Sequence, residues 1–220
     1  REALSQFLDV RHSDNAISTE EVFERSWQAC VERVPAELRT HVRRAASVLA
    51  RARAPMTDVM GGDLLGIDLS TWVAVRDALR EFLIAVPVVS EDEEYPAHRL
   101  FHEAFAEFLR EHLKAEAEGA QDRLAEFCYV HWDQGGPVGE YAIRHAVAHA
   151  CESIHRPQSP VDTAANVQRF NEIRSLLLTP RFLETRVEAG QVFELAADLD
   201  RVRHVAFESP ACCDRRLMLL

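Results

Sequence analysis

Apolar residues recur at helical spacing along most of the chain, which predicts a mainly α-helical fold. Ser18 with Glu21 can form a capping box, and Pro35 can begin a second helix. Thr57 and Ser70 are further candidate N-caps, and Gly61-Gly62 weakens the helix after Thr57. A loop is predicted over 156–163. The apolar stripes occupy residues 23–34, 38–52, 59–65, 72–82, 105–113, 124–131, 141–149, 167–177, 182–187 and 192–202.

One segment departs from the helical period. Ile84 to Val89 is short and β-branched, four acids follow at 91–94, and Tyr95 to Phe101 forms a second apolar run. This pattern predicts one two-stranded β-hairpin within about 84–101, with Pro87 and Pro96 at edge positions. Three helices followed by a hairpin, the wing, are the plan of a winged-helix domain. We therefore predict a helical lead-in at 1–32, a winged-helix domain at 33–117 and an α-helical connector at 118–220.

The composition limits the kinds of partner and the location that we expect for this chain. The 220 residues carry 25 Lys and Arg against 36 Asp and Glu, a net charge of −11, and are 47% hydrophobic. Such a chain can bury a core, and without an apolar run of about 18 residues no membrane partner is expected. The five cysteines lack C-x-x-C spacing, which favours buried, reduced thiols and a cytoplasmic location. They are Cys30, Cys128, Cys151, Cys212 and Cys213.

Winged helices often bind DNA, and a winged-helix transcription regulator is the alternative function. The predicted recognition helix, 68–83, has mixed charge, and the wing is tipped by acids, which phosphates would repel. Nucleic acid is therefore not the expected partner. The one basic helix carries Arg39, Arg43, Arg44, Arg51 and Arg53.

Catalytic motifs are sparse. A phosphate-binding loop needs glycines before a lysine, and the only lysine, Lys114, follows Leu113. We therefore expect no catalytic residues and no enzyme activity from this chain alone. His145 and His149, at i, i+4, could bind a metal with Cys151 or His155, which leaves a metal-dependent enzyme as a less favoured hypothesis. Hydrogen-bonded structural imidazoles are preferred, so no metal site is expected. His98 and His102 have the same spacing, but His98 falls in the predicted strand, so this pair would not share a face.

The segment 95–109, Tyr-Pro-Ala-His-Arg-Leu-Phe-His-Glu-Ala-Phe-Ala-Glu-Phe-Leu, resembles the end of the winged-helix domain in STAND signalling NTPases, the NACHT and NB-ARC class. The runs 34–39 and 49–69 resemble that domain's beginning. The runs 141–149 and 176–190 resemble the helical region after it, which precedes WD40 or similar repeats in bacterial members. The family's nucleotide-binding core and its Walker motifs are not in this sequence.

The resemblance implies a non-catalytic regulatory segment between an upstream NTPase domain and a downstream sensor or repeat domain. It implies that the whole protein binds ADP or ATP, that this segment holds no cofactor itself, and that activation involves oligomerisation. By resemblance His102 contacts the β-phosphate of ADP in the closed state. Because the sequence opens at Arg1 and ends in the apolar run 217–220, we expect a longer parent protein.

Overall fold

The computed structural model describes residues 18–154 and 160–208. Its strands are β1 (Met56–Thr57), β2 (Leu83–Ser90) and β3 (Glu93–Leu100), and a 3-10 turn, Arg80–Phe82, precedes β2. Its α-helices are α1 (Thr19–Arg33), α2 (Ala36–Arg51), α3 (Asp58–Leu65), α4 (Leu69–Ala78), α5 (Glu103–His112), α6 (Lys114–His131), α7 (Gly136–Glu152), α8 (Pro160–Leu177), α9 (Pro180–Glu188) and α10 (Val192–Glu208). The predicted mainly helical fold is confirmed.

The helix starts follow the predicted caps with one correction. The capping box of Ser18 and Glu21 is present, and the Thr57 hydroxyl accepts a hydrogen bond from the N–H of Met60. Asp68, not Ser70, caps α4: its carboxylate accepts a hydrogen bond from the N–H of Thr71 at 3.0 Å. Asp68 has the extended backbone that an N-cap requires, whereas Ser70 already lies in the first turn and donates its hydroxyl to Asp68.

The predicted hairpin is confirmed, with one additional strand. β2 and β3 pair antiparallel over their full lengths, and β1 pairs with β3 on its other side through Met56 and Thr57. The sheet order is β1-β3-β2. Two residues have no readable alternation, which is why the sequence did not predict β1. Because β1 reaches only Ala97 and His98, Pro96 lies beyond it, where β3 needs no second partner.

The order α2, β1, α3, α4, β2, β3 is that of a winged helix, with α4 in the recognition-helix position and the hairpin as the wing. The helix before it belongs to the same core. Trp27 is fully buried, with its ring 6.4 Å from that of Phe82, and the rings of Phe23 and Phe105 are 5.3 Å apart. Aromatic packing therefore joins α1 to the 3-10 turn before β2 and to α5.

The later helices extend this core. α6 begins one residue after α5 and runs through residues 117 and 118, where the sequence places the domain boundary. α2 packs against α6, and α6 packs against α7. The buried apolar residues of these elements form one continuous cluster. They include Val42, Ala45, Val48, Leu49, Leu124, Phe127, Cys128, Tyr141, Ala142 and Val147.

Several predictions from the sequence concern residues outside those that the structure describes. Cys30, Cys128 and Cys151 are buried free thiols as predicted, while Cys212 and Cys213 lie outside the described residues. Residues 1–16, the run 217–220 and residues 156–159 of the predicted loop over 156–163 lie outside them too. The loop prediction is wrong from Pro160 onward, because proline's fixed φ suits the first turn of α8. Across 18–154 and 160–208, no helix combines the length and apolar character that a bilayer crossing requires.

Candidate functional site

His102 lies where β3 passes into α5. Its backbone is extended, and its Nδ1 accepts a hydrogen bond from the N–H of Ala104 at 3.1 Å, so the imidazole caps the helix. In a neutral ring the nitrogen that accepts carries no proton, so the proton is on Nε2. The side chain is exposed beside the rings of Phe101 and Phe23, and its Nε2–H is therefore available to an acceptor in solution.

A cleft of about 370 Å³ opens beside His102. The end of α2 and the loop after it form one wall, the junction of β3 with α5 forms another, and the end of α7 contributes a carboxylate. The charged side chains that line the cleft are Arg51, Arg53, Arg99, Arg110, Glu103 and Glu152. A protein of net charge −11 therefore gathers four guanidinium groups around one concave surface.

The four arginines divide into two kinds. Arg53 pairs with Glu152, and Arg110 pairs with Glu103. Within the described residues, Arg51 and Arg99 have no carboxylate partner, and the Nε of Arg51 is buried without a hydrogen-bond acceptor. An arginine without a partner retains donors for an anion. Two of the four arginines in the cleft are therefore paired with glutamates, and two have no carboxylate partner among the described residues.

Sequence reasoning found part of this site. It named His102, and it placed Arg51 and Arg53 on one basic helix without assigning them a ligand. That helix ends at Arg51, and Arg53 lies in the loop after it. It missed Arg99, Arg110 and Glu152. The spacing of Glu103 and Arg110, two helical turns apart, was a signal for a shared face. No spacing rule relates α2, β3 and α7, so their meeting at one cleft required the tertiary structure.

The second histidine pair lies in the core. His149 is fully buried, with Nδ1 3.1 Å from Nε2 of Gln121 and Nε2 3.0 Å from the hydroxyl of Tyr141. That hydroxyl also accepts a hydrogen bond from the backbone N–H of Arg53. Burial lowers the pKa of His149 to about 3, so the ring is neutral. His149 therefore cross-links α6, α7 and the loop after α2.

This geometry gives the metal hypothesis little support. Both ring nitrogens of His149 are occupied by side chains, which leaves no lone pair for an ion. In the ranges 18–154 and 160–208, no three His, Cys, Asp or Glu side chains converge into a metal-binding group. His155, a predicted third ligand, lies outside the described residues.

Part of the surface that a DNA-binding winged helix would use contacts the protein itself. On α4, Arg76 donates to Asp58 at 2.5 Å and to the neighbouring Asp77. On the wing, Ser90 donates its hydroxyl to Glu140 of α7, and Glu91 accepts a hydrogen bond from the N–H of Gly136. A paired arginine and a wing bound to α7 are poorly disposed to meet a phosphate backbone.

Comparisons of this chain with protein-family models, with curated proteins and with solved structures found no match. The site itself therefore carries the functional argument.

Proposed function

We propose that this chain is the winged-helix and helical-connector segment of a STAND-class signalling NTPase. It is not catalytic; it couples the nucleotide state of an NTPase domain to a downstream sensor or repeat domain. The observation that carries the proposal is His102, which lies at the rim of an arginine-lined cleft. Its Nδ1 accepts a hydrogen bond from Ala104, and its Nε2–H has no partner among the residues that the structure describes.

Phosphate recognition suits this position. The positive end of the α5 helix dipole attracts an anion. The N–H of Ala104 and the N–H of Phe105 already donate to His102, so the dipole and the imidazole are what this helix start supplies. The imidazole N–H adds a directed donor, and the arginines add charge. In this proposal, the ADP phosphates hold the winged helix closed over an NTPase domain. The phosphates favour the closed state because they bind it more tightly than the open state. Loss of the contact then favours the open state.

Transmission to the connector is supported by the packing. α6 follows α5 after one residue, α2 packs against α6, and the wing binds the start of α7. Continuous packing of this kind transmits displacement rather than absorbing it. A force applied at His102 would therefore move α5 to α7 together.

The winged-helix topology itself favours a second candidate, a DNA-binding regulator. The mixed charge of α4 and the attachment of the acidic wing to α7 oppose it. A gel-shift measurement with random-sequence duplex at low salt separates the two functions. We expect no retarded band, and a band that weakens steeply with added salt would favour the regulator.

The decisive test uses the whole reading frame that contains this chain. The proposal requires a phosphate-binding loop outside these residues, and a frame without one would refute it. In the whole protein, compare His102→Ala with His102→Ser. Serine keeps a helix cap but lacks the imidazole donor. We expect both variants to release bound ADP about 10- to 150-fold faster, since a hydrogen bond to a charged group contributes about 1.5–3 kcal/mol.

The matched control is His112→Ala, because His112 ends the same helix, contacts Glu24 and does not line the cleft. It should retain ADP as the wild type does. Faster release from His102→Ala alone, with His102→Ser normal, would reduce His102 to a helix cap and contradict the proposal.

A further inference from the structure

We infer that the cleft beside His102 is itself a phosphoryl-anion site, and that an anion bound there competes with Glu152 for Arg53 and so loosens the end of α7. The inference rests on the proposed function only for identifying the anion as the phosphates of a nucleotide. Binding of the anion is a property of this chain alone.

The available donors define the ligand chemistry. Arg99 and Arg51 lack carboxylate partners in the described parts of the chain, and the Nε of Arg51 is buried without an acceptor. With His102 neutral, four arginines and two glutamates give the lining a net charge of +2. The volume of about 370 Å³ is in the range of small-ligand sites, and the charged lining selects an anion. Guanidinium groups bind phosphate oxygens in a bidentate manner.

Arg53 connects this cleft to the connector. It lies in the loop between α2 and β1, where its backbone N–H donates to Tyr141. Its side chain pairs with Glu152, the last residue of α7, and these side chains are 28% and 39% exposed. Partly exposed ion pairs of this kind are weak, because solvent screens the attraction between the two charges. A multiply charged phosphoryl group can therefore take the guanidinium from the single carboxylate.

Releasing Glu152 has a structural effect. The C-terminal end of a helix carries partial negative charge, so a carboxylate there is unfavourable unless a cation offsets it. Arg53 is that cation for α7. When the anion holds Arg53, the last turn of α7 retains an uncompensated carboxylate. Anion binding in the cleft therefore weakens the last turn of α7, where the winged helix meets the connector.

The test titrates the 220-residue chain with sodium pyrophosphate, ADP and adenosine in separate calorimetric experiments at matched low ionic strength. Pyrophosphate and ADP should bind with similar affinity, and adenosine should not bind. Arg99→Gln should weaken pyrophosphate binding about fivefold, and Glu152→Gln should strengthen it about fivefold, the scale of one partly exposed ion pair. Arg174→Gln, an exposed arginine of α8 outside the cleft, should leave it unchanged.

Hydrogen exchange supplies a readout that simple binding would not give. Saturating pyrophosphate should speed amide exchange over 149–153 in the wild type and have little effect in Glu152→Gln. Slowed or unchanged exchange in the wild type, or unchanged affinity in Glu152→Gln, would overturn the competition. No binding of pyrophosphate, or binding insensitive to Arg99→Gln, would overturn the site. Binding of adenosine equal to that of ADP would show that the phosphoryl group is not what is recognised, and would also overturn it.

The two proposals can fail separately. Pyrophosphate binding by this chain, together with a reading frame lacking a phosphate-binding loop, would refute the NTPase assignment and leave the cleft intact. Faster ADP release from the His102 variants of the whole protein, together with no pyrophosphate binding by the chain, would do the reverse.

Discussion

Glu91, at the tip of the wing, accepts a hydrogen bond from the backbone N–H of Gly136 at the start of α7, at 3.1 Å. A carboxylate at a helix N-terminus satisfies an otherwise unpaired donor and opposes the positive end of the dipole. Glu91 and Asp92 both have positive φ, as a tight two-residue hairpin turn requires. The turn geometry thus presents the Glu91 carboxylate to the connector.

We expect Glu91→Gln to destabilise the chain by about 0.3–1 kcal/mol at low salt, because the charge–dipole attraction at α7 is lost. The loss should shrink at high salt. Urea unfolding at two ionic strengths measures it, and exchange of the Gly136 amide reports the contact directly. Asp92→Asn is the matched control: it removes the same charge one residue away, where asparagine tolerates the positive φ. Equal effects of both variants would indicate general charge reduction.

Gly61 allows Trp72 to pack on α3. A Cβ at residue 61 would lie 2.2 Å from Cζ2 of the Trp72 ring, whose Nε1–H donates to Asp58. We expect Gly61→Ala to destabilise the chain by about 1–3 kcal/mol, since overpacking displaces a buried ring. Thermal unfolding and a shifted tryptophan emission would measure it.

Gly119→Ala is the control of opposite sign. Gly119 lies within α6, and among the described side chains an added Cβ would meet only Nη1 of Arg123, at an ordinary 3.5 Å. Alanine should stabilise this helix by about 0.5–1 kcal/mol. Destabilisation by both variants would mean that the Trp72 contact is not the cause.

These glycines also illustrate how far sequence reasoning extends. Gly61-Gly62 made α3 hard to predict, because helix propensity counts glycine as unfavourable and cannot register the tryptophan that packs against it. The amphipathic helices and the hairpin were predictable, because an element that buries one face has apolar residues at a regular spacing in the sequence. β1 left no period. His102 was identified from a contiguous motif, whereas the arginine cleft draws on elements up to about 100 residues apart.

Acid should destabilise the fold through the α7 histidines. Burial is the main cause that lowers the pKa of both His145 and His149 to about 3, with Arg53 also lowering both. The unfolded chain takes up protons near pH 6.5 while the folded chain resists them, so stability is full above that pH and falls below it. From pH 7 to 5 we expect a loss of about 2 kcal/mol per histidine.

Urea midpoints at pH 7, 6 and 5 measure this dependence. His149→Gln should lower stability at pH 7 through its lost contacts, yet roughly halve the slope between pH 7 and 5, since one titrating group is removed. A slope equal to the wild type's would show that other groups set the acid sensitivity.

Between α9 and α10, Arg186 is fully buried and donates to Asp198 at 2.5 Å, while Arg201 donates to the other carboxylate oxygen. Asp198→Asn would leave a buried guanidinium without its anion, so we expect a loss of about 3–5 kcal/mol. Arg186→Met should cost clearly less, because Arg201 still pairs with Asp198. Chemical unfolding ranks the two, and the reverse order would contradict this account.

The link between α5 and α6 is a single residue, Leu113, whose backbone is neither helical nor extended and whose side chain is buried. With a single buried residue between them, α5 and α6 cannot reorient independently of each other. A rotation of α5 about its own axis would therefore also move α6. The displacement would increase with distance from Leu113 along the 18 residues of α6. The buried Leu113 therefore fixes the direction in which α6 leaves α5.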